Sequence, residues 1–163
     1  IEHAEVPTYD QISRIAKLDI YVAVQPSFLY YWDIEKFYLR RLGKERTLRL
    51  HPYKRMIQAG IHLSGGSDSP VTPIDPLIGI YSAVNHPIKG SSISILEALK
   101  LYTIEAAAFS FDEGRKGSIS EGKVADLIIL SDDILKLKKE DIRKLSVEVT
   151  IRKGEIVVNK LKL

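Results

Sequence analysis

The chain contains no cysteine, which excludes disulfides, thiolate metal sites and cysteine nucleophiles and leaves the redox compartment open. No apolar run reaches membrane-spanning length and no signal-peptide pattern is visible, so a cytoplasmic protein without a membrane partner is expected. The formal net charge is +3, but no helix-turn-helix, zinc-finger or RNA-binding signature accompanies it. A nucleic-acid partner is therefore not expected. There is no internal repeat, no low-complexity segment and no H-x-H pair. The first residue is Ile1 rather than methionine, so the N-terminus is expected to be processed, cleaved or incompletely represented.

What is present is an ordinary globular composition. With 163 residues, 45% of them hydrophobic, the chain can bury one core. Basic residues concentrate in segments 36–55 and 135–144. The second segment interleaves Lys136, Lys138 and Lys139 with Glu140 and Asp141, the pattern of a solvated helix face.

Residues 60–70, G-I-H-L-S-G-G-S-D-S-P, organise the rest. Residues 61–64 read as a short strand, Gly65, Gly66 and Ser67 bring the backbone out, and Asp68 stands just past the strand end. An aspartate at the C-terminal rim of an α/β barrel strand is placed to bind a metal or take a proton. The alternative is a loop aspartate that caps a turn through backbone N–H groups. His62 lies inside the strand, and which side of it faces inward is not fixed by so few residues.

Around that stretch the pattern alternates strand and helix. Thr8 caps a helix over residues 9–17, with Ile12, Ile15, Ala16 and Leu18 as its buried stripe. Residues 21–24 form a β-branched strand, and 33–42 a helix that Gly43 ends. Helices are expected over 53–59 and 77–84, and Ser94 with Glu97 makes a capping box for a helix over 95–102. Residues 125–130 are an apolar strand, expected to pair with a terminal hairpin over 147–158 that turns at Lys153-Gly154. The aromatic residues of 27–42 either pack helix on sheet or, at Phe28, Tyr31 and Trp32, line a substrate mouth, Phe28 and Trp32 being the two assigned to face it. Arg46, read from its own surroundings, makes a surface ion pair.

Five segments in order carry a resemblance: I-E-H-A at 1–4, V-Q-P-S-F at 24–28, L-G-K-E-R at 42–46, G-G-S-D-S-P at 65–70 and G-S-I-S-E-G-K-V-A-D-L-I-I-L at 117–130. Together they resemble the C-terminal portion of a metal-dependent amidohydrolase, of the exoenzyme-regulatory-like or N-substituted formamide deformylase-like branch. The resemblance implies an α/β fold made of the last three strands of a TIM barrel with their helices (residues 1–111). Part of a small β-sandwich-like domain would follow (112–163). A whole (β/α)8 barrel takes about 250 residues, so this chain is expected to be part of one. The resemblance also assigns His3 and Asp68 as ligands of a divalent metal, zinc by expectation, with Asp68 the catalytic base. Without a family counterpart, His3 reads as an exposed residue near a chain end. The resemblance also implies that Arg46 fixes a loop or contacts substrate, and assigns it to the substrate mouth with Phe28 and Trp32. Asp126 is structural in the resembling proteins.

The family's remaining ligands have no counterpart, because His51, His62 and His86 do not match their positions. Two donors fall short of the usual three for hydrolytic zinc, so no full equivalent of metal is expected in this chain alone. Two functions follow. The chain is a fragment or subunit of a metal-dependent hydrolase of non-peptide carbon–nitrogen bonds, acting on an amide-like small molecule and inactive alone. Alternatively it is a non-catalytic remnant or association module. Self-association or an upstream partner fragment is expected to cover its open strand edges.

Overall fold

The structure is a computed structural model and describes residues 1–161. Local signals form most of the elements. Helix α1 (Tyr9–Lys17) starts at Thr8, whose side chain accepts from Gln11 N–H while the Gln11 side chain accepts from Thr8 N–H. Its Ile12 and Ile15 are buried, whereas Leu18 is largely exposed, so the apolar stripe is narrower than its periodicity suggests. Strand β1 (Val22–Val24) follows, with Val22 and Val24 in the core.

The aromatic stretch is less regular than one helix. It divides into α2 (Phe28–Tyr31), a π-helical segment (Ile34–Leu39) begun by an Asp33 side-chain cap, and α3 (Arg40–Thr47). Gly43, with φ 73° and ψ 169°, breaks the helical path inside α3, a conformation that costs glycine little. Helix α4 (Tyr53–Gln58) leads into β2 (Leu63–Gly65). Helices α5 (Pro76–Val84), α6 (Ile95–Leu101) and α7 (Ile104–Phe109) complete the α/β part, α6 with its Ser94–Glu97 capping box. Tyr53, Met56, Leu63 and Leu101 lie at the centre of the core with the two valines of β1.

Among the described residues no sheet closes into a barrel, and the expected set of three barrel strands is corrected. β1 and β2 form a two-stranded parallel sheet, in register Val22↔Leu63, Ala23↔Ser64 and Val24↔Gly65. The stretch before β1 contributes one isolated parallel bridge, Glu2↔Ala23. Ladders this short supply neither the strand number nor the stagger that closure demands. The organising strand also begins at Leu63 rather than at residue 61, because Gly60 and the following bonds hold Ile61 in the turn after α4.

The second sheet is antiparallel: β3 (Leu127–Leu130), β4 (Val147–Arg152) and β5 (Glu155–Asn159), in that order, with a 3-10 segment (Lys139–Lys144) between β3 and β4. The β4–β5 turn places Lys153 and Gly154 at φ 52° and 85°, both left-handed, as a tight two-residue hairpin requires. Asp126 accepts from Lys153 N–H at 2.8 Å and ties the turn to the start of β3. Its role is structural. β3 pairs with β4 as expected, but Ile128 and Ile129 stay exposed and only Leu130 packs on the core. Among the described residues no helix is long and apolar enough to cross a membrane.

Tyr102 locks the two parts of the α/β core together. A Cβ on Gly65 would meet its ring at 2.5 Å, and one on Gly79 would meet its hydroxyl at 1.8 Å. Gly79→Ala therefore forces the largely buried tyrosine to move, and we expect a stability loss of about 1–3 kcal/mol in denaturant unfolding. A loss within experimental error would show that the ring relaxes freely.

Candidate functional site

The site forms where the segment after the Glu2 bridge meets the turn after β2. His3 N–H donates to Ala23 C=O at 2.8 Å, which pins this segment beside β1. Gly66 N–H donates to Val24 C=O at 2.8 Å and extends the β1–β2 contact past the strand end. Ser67 C=O accepts from the Thr72 hydroxyl at 2.5 Å, and Asp68 C=O accepts from Val71 N–H at 2.8 Å, closing the turn. This framework brings His3 Nε2 to 3.9 Å from Asp68 Oδ2, with both side chains about two-fifths exposed. Residues 65 positions apart in sequence thus face one opening.

Backbone strain concentrates there. His3, Ala4, His51 and Asp68 all have positive φ, at 69°, 47°, 47° and 54°. Non-glycine residues adopt this region sparingly, and each such residue has to be held by its surroundings. His51 is held by two backbone bonds, its N–H to Glu5 C=O at 2.6 Å and its C=O from Tyr53 N–H at 2.7 Å.

His3 and Asp68 open onto a cleft of ≈ 510 Å³ whose other walls are Glu5, Phe28, Trp32, Phe37, Tyr38 and Val71. Phe28 is buried and meets Trp32 edge-on at 4.2 Å, and Trp32 stacks on Phe37 at 5.5 Å. Of the three aromatic residues read at the mouth from sequence, Phe28 and Trp32 line this cleft, whereas Tyr31 packs against Tyr30 away from it. Arg46 is exposed and does not line the cleft. A different arginine, Arg41, lies over the Phe37 ring at 4.2 Å.

Glu5 and His51 are the residues that sequence patterns did not point to. Glu5 lies two residues after His3, and its Oε2 is 3.9 Å from Nε2 of His51. Burial raises the Glu5 carboxyl above its ordinary value, the Asp68 charge pushes in the same direction and His3 opposes both. His51 is 1% exposed and neither ring nitrogen has a hydrogen-bond partner. Burial, helped by charge on His86 and His3, lowers its pKa to about 3, so it is neutral at ordinary pH. Burial likewise raises the Tyr38 phenol. The one sequence signal for Glu5 was its place in the same I-E-H-A-E run as His3.

The other histidines lie elsewhere. His62 Nδ1 is 2.8 Å from Glu105 Oε2 and its ring stacks on Tyr21 at 4.7 Å. His86 is buried, accepts from Ile88 N–H at 3.0 Å and has its pKa lowered to about 4 by burial. Among the described residues no group of three or more histidines, cysteines or acids is arranged to hold a metal ion. The metal-binding character that the resemblance implied for this chain is corrected to this extent: His3 and Asp68 are two donors, a hydrolytic zinc centre takes three from protein, and the pair by itself is not a metal site.

The profile of the amidohydrolase family matches residues 1–158. A protein of Bacillus subtilis (strain 168) named as an amidohydrolase, YtcJ, is 36% identical over 171 residues, covering 97% of this chain and 31% of its own length. The N-substituted formamide deformylase of Arthrobacter pascens is 30% identical over 154 residues, covering 90% of this chain and 28% of its own. A metal-dependent hydrolase of Pyrococcus horikoshii OT3, known by crystal structure, superposes with a TM-score of 0.76 at 30% identity, over 85% of this chain and 30% of that one. The chain spans about a third of the length of these curated relatives. On the profile match and the ordered identity, this chain belongs to the amidohydrolase family.

Proposed function

We propose that this chain supplies part of the active site of a metal-dependent hydrolase of non-peptide carbon–nitrogen bonds, in the deformylase-like branch, and is inactive without the rest. The observation that carries the reading is the placing of His3 and Asp68 at 3.9 Å across one cleft, from two segments of the sheet. Family membership gives that pair its chemical sense. In the completed site the two side chains would serve as donors to a divalent metal, zinc by preference, alongside ligands from outside this chain. Such a metal supplies an activated water when bound. The contribution of this chain's own residues is positional. Asp68 accepts a proton at its carboxylate and passes it to the leaving nitrogen, a transfer that its 41% exposed position at the cleft edge permits. Phe28 and Trp32 hold the apolar or aromatic part of an amide-like substrate and exclude water from its face. Glu5, braced by His51, is a third polar group at the same opening and can accept a substrate N–H. The outer edge of β2, which has no strand partner among the described residues, is where a completing segment would pair.

A chimaera tests this. The relative at 36% identity would have its matching segment replaced by this chain, and both chimaera and isolated chain would be offered formamides, amides and imides with zinc. Hydrolysis by the chimaera and none by the chain alone is expected. Turnover by the isolated chain, lost on Asp68→Asn, would overturn the reading of an incomplete site.

A further inference from the structure

A second site lies away from the cleft, between the start of α1, the 48–52 segment, α4 and the 89–91 turn. It is a pocket of ≈ 150 Å³, and Arg49, Arg55 and Lys89 all line it while no carboxylate does. None of these three cations is in an ion pair within the described residues, although the chain carries 21 acidic residues. A further feature points to an anionic acceptor. The Arg49 Nε is buried without a hydrogen-bond partner, a state that costs free energy unless an acceptor fills it. Ser91, which also lines the pocket, is only 7% exposed, and its backbone groups are bonded to Ile88 and Lys54. Arg55 is held in place by stacking over the Tyr9 ring at 4.1 Å, which fixes its guanidinium at the pocket wall. Gly90, at φ 85°, has open space where a Cβ would stand.

We propose that this pocket binds a phosphate-type oxyanion. A dianionic tetrahedral group offers several acceptors at once, which suits a small pocket lined by two arginines and a lysine with no carboxylate. A carboxylate carries half the charge and is the poorer fit. The site also adjoins the cleft wall: Pro7 follows Glu5 by two residues and Arg49 precedes His51 by two, and the Glu5–His51 backbone bond lies between. An anion held there would brace the segment that carries both. The proposal stands independently of the hydrolase reading, since binding is read without turnover.

The test is an amide-resolved NMR titration of the full chain with inorganic phosphate, phenyl phosphate and acetate at fixed ionic strength. Saturable shifts at Arg49, Arg55, Gly90 and Ser91 are expected with phosphate, at an affinity at least about tenfold tighter than acetate. Raising NaCl should weaken the binding. Arg55→Gln and Arg49→Gln should each weaken it about tenfold or more, the scale of one charge-assisted hydrogen bond. Because Arg49 is partly buried, the exposed Lys89→Gln and the conservative Ser91→Ala serve as folded controls that should also weaken binding. Binding of phenyl phosphate as well as phosphate would identify phosphate esters as the ligand source, and binding of phosphate alone the free ion. No saturable shift at these residues, equal affinity for acetate, or indifference to all four substitutions would overturn the proposal.

Discussion

Asp68→Asn, made in the active chimaera, is expected to lower kcat by about 10²–10⁴-fold with the fold intact, the range for loss of a positioned general base. The substitution keeps the shape and removes the negative charge and most of the basicity. It is also mild for the backbone, because Asp68 has φ 54° and asparagine is among the residues that tolerate this region best. The bonds from the Thr72 hydroxyl to Ser67 C=O and from Val71 N–H to the C=O of residue 68 continue to close the turn, since neither uses the residue 68 side chain. Circular dichroism would verify that the fold survives, and kinetics on the preferred formamide or amide would give the loss. A variant within about threefold of the parent would remove Asp68 from the chemistry.

Acid should unfold the isolated chain through two buried histidines. His51 and His86 are neutral in the folded state, with pKa values lowered to about 3 and about 4 from 6.5, while in the unfolded chain they titrate near 6.5. Between those values the unfolded state binds more protons, so stability falls as pH falls. Each tenfold loss of proton affinity on folding corresponds to about 1.4 kcal/mol, so the two groups together remove several kcal/mol, comparable with the roughly 5–15 kcal/mol that holds a domain together. The opposite sign belongs to Glu5, whose raised carboxyl gains its proton in the folded state first and so partly offsets the loss. Unfolding free energies measured in urea from pH 7.5 to 4 should decline steeply below pH 6.5. His51→Phe, which retains an aromatic ring among Phe28, Tyr38 and Tyr53, should flatten that slope whatever it does to absolute stability. A flat profile in the parent protein would refute the burial argument.

The elements that sequence reading recovered are those whose cause is local. Thr8 with Gln11 and Ser94 with Glu97 start their helices through bonds spanning three residues, and Lys153-Gly154 turns its hairpin by backbone preference alone. What depends on distant pairing was less legible. The 1–4 run has the motif of a strand, yet beside β1 it makes one bridge, because neighbouring strands rather than its own residues determine how far a ladder extends. The aromatic run after β1 looks like one helix by spacing, but Gly43 and the π-helical turn interrupt it. In the site, His3 and Asp68 were reached through motif order and Phe28 and Trp32 through the aromatic run after β1, and all four line one cleft. Glu5 and His51 were not reached, because what joins them is a backbone hydrogen bond across 46 positions and a buried ring with no polar partner. Neither leaves a periodicity to read. Arg46 belonged to a matching segment, but it stands on the solvent side, where segment order carries no information about direction.

The central claim is that His3 and Asp68 act as one unit across the cleft. A double-mutant cycle in the chimaera measures this directly, using kcat/KM for His3→Ala, Asp68→Ala and the pair. Residues that act together show strongly non-additive losses, so the double variant should be about as impaired as the worse single one. Losses that multiply, as for two independent sites, would contradict the account.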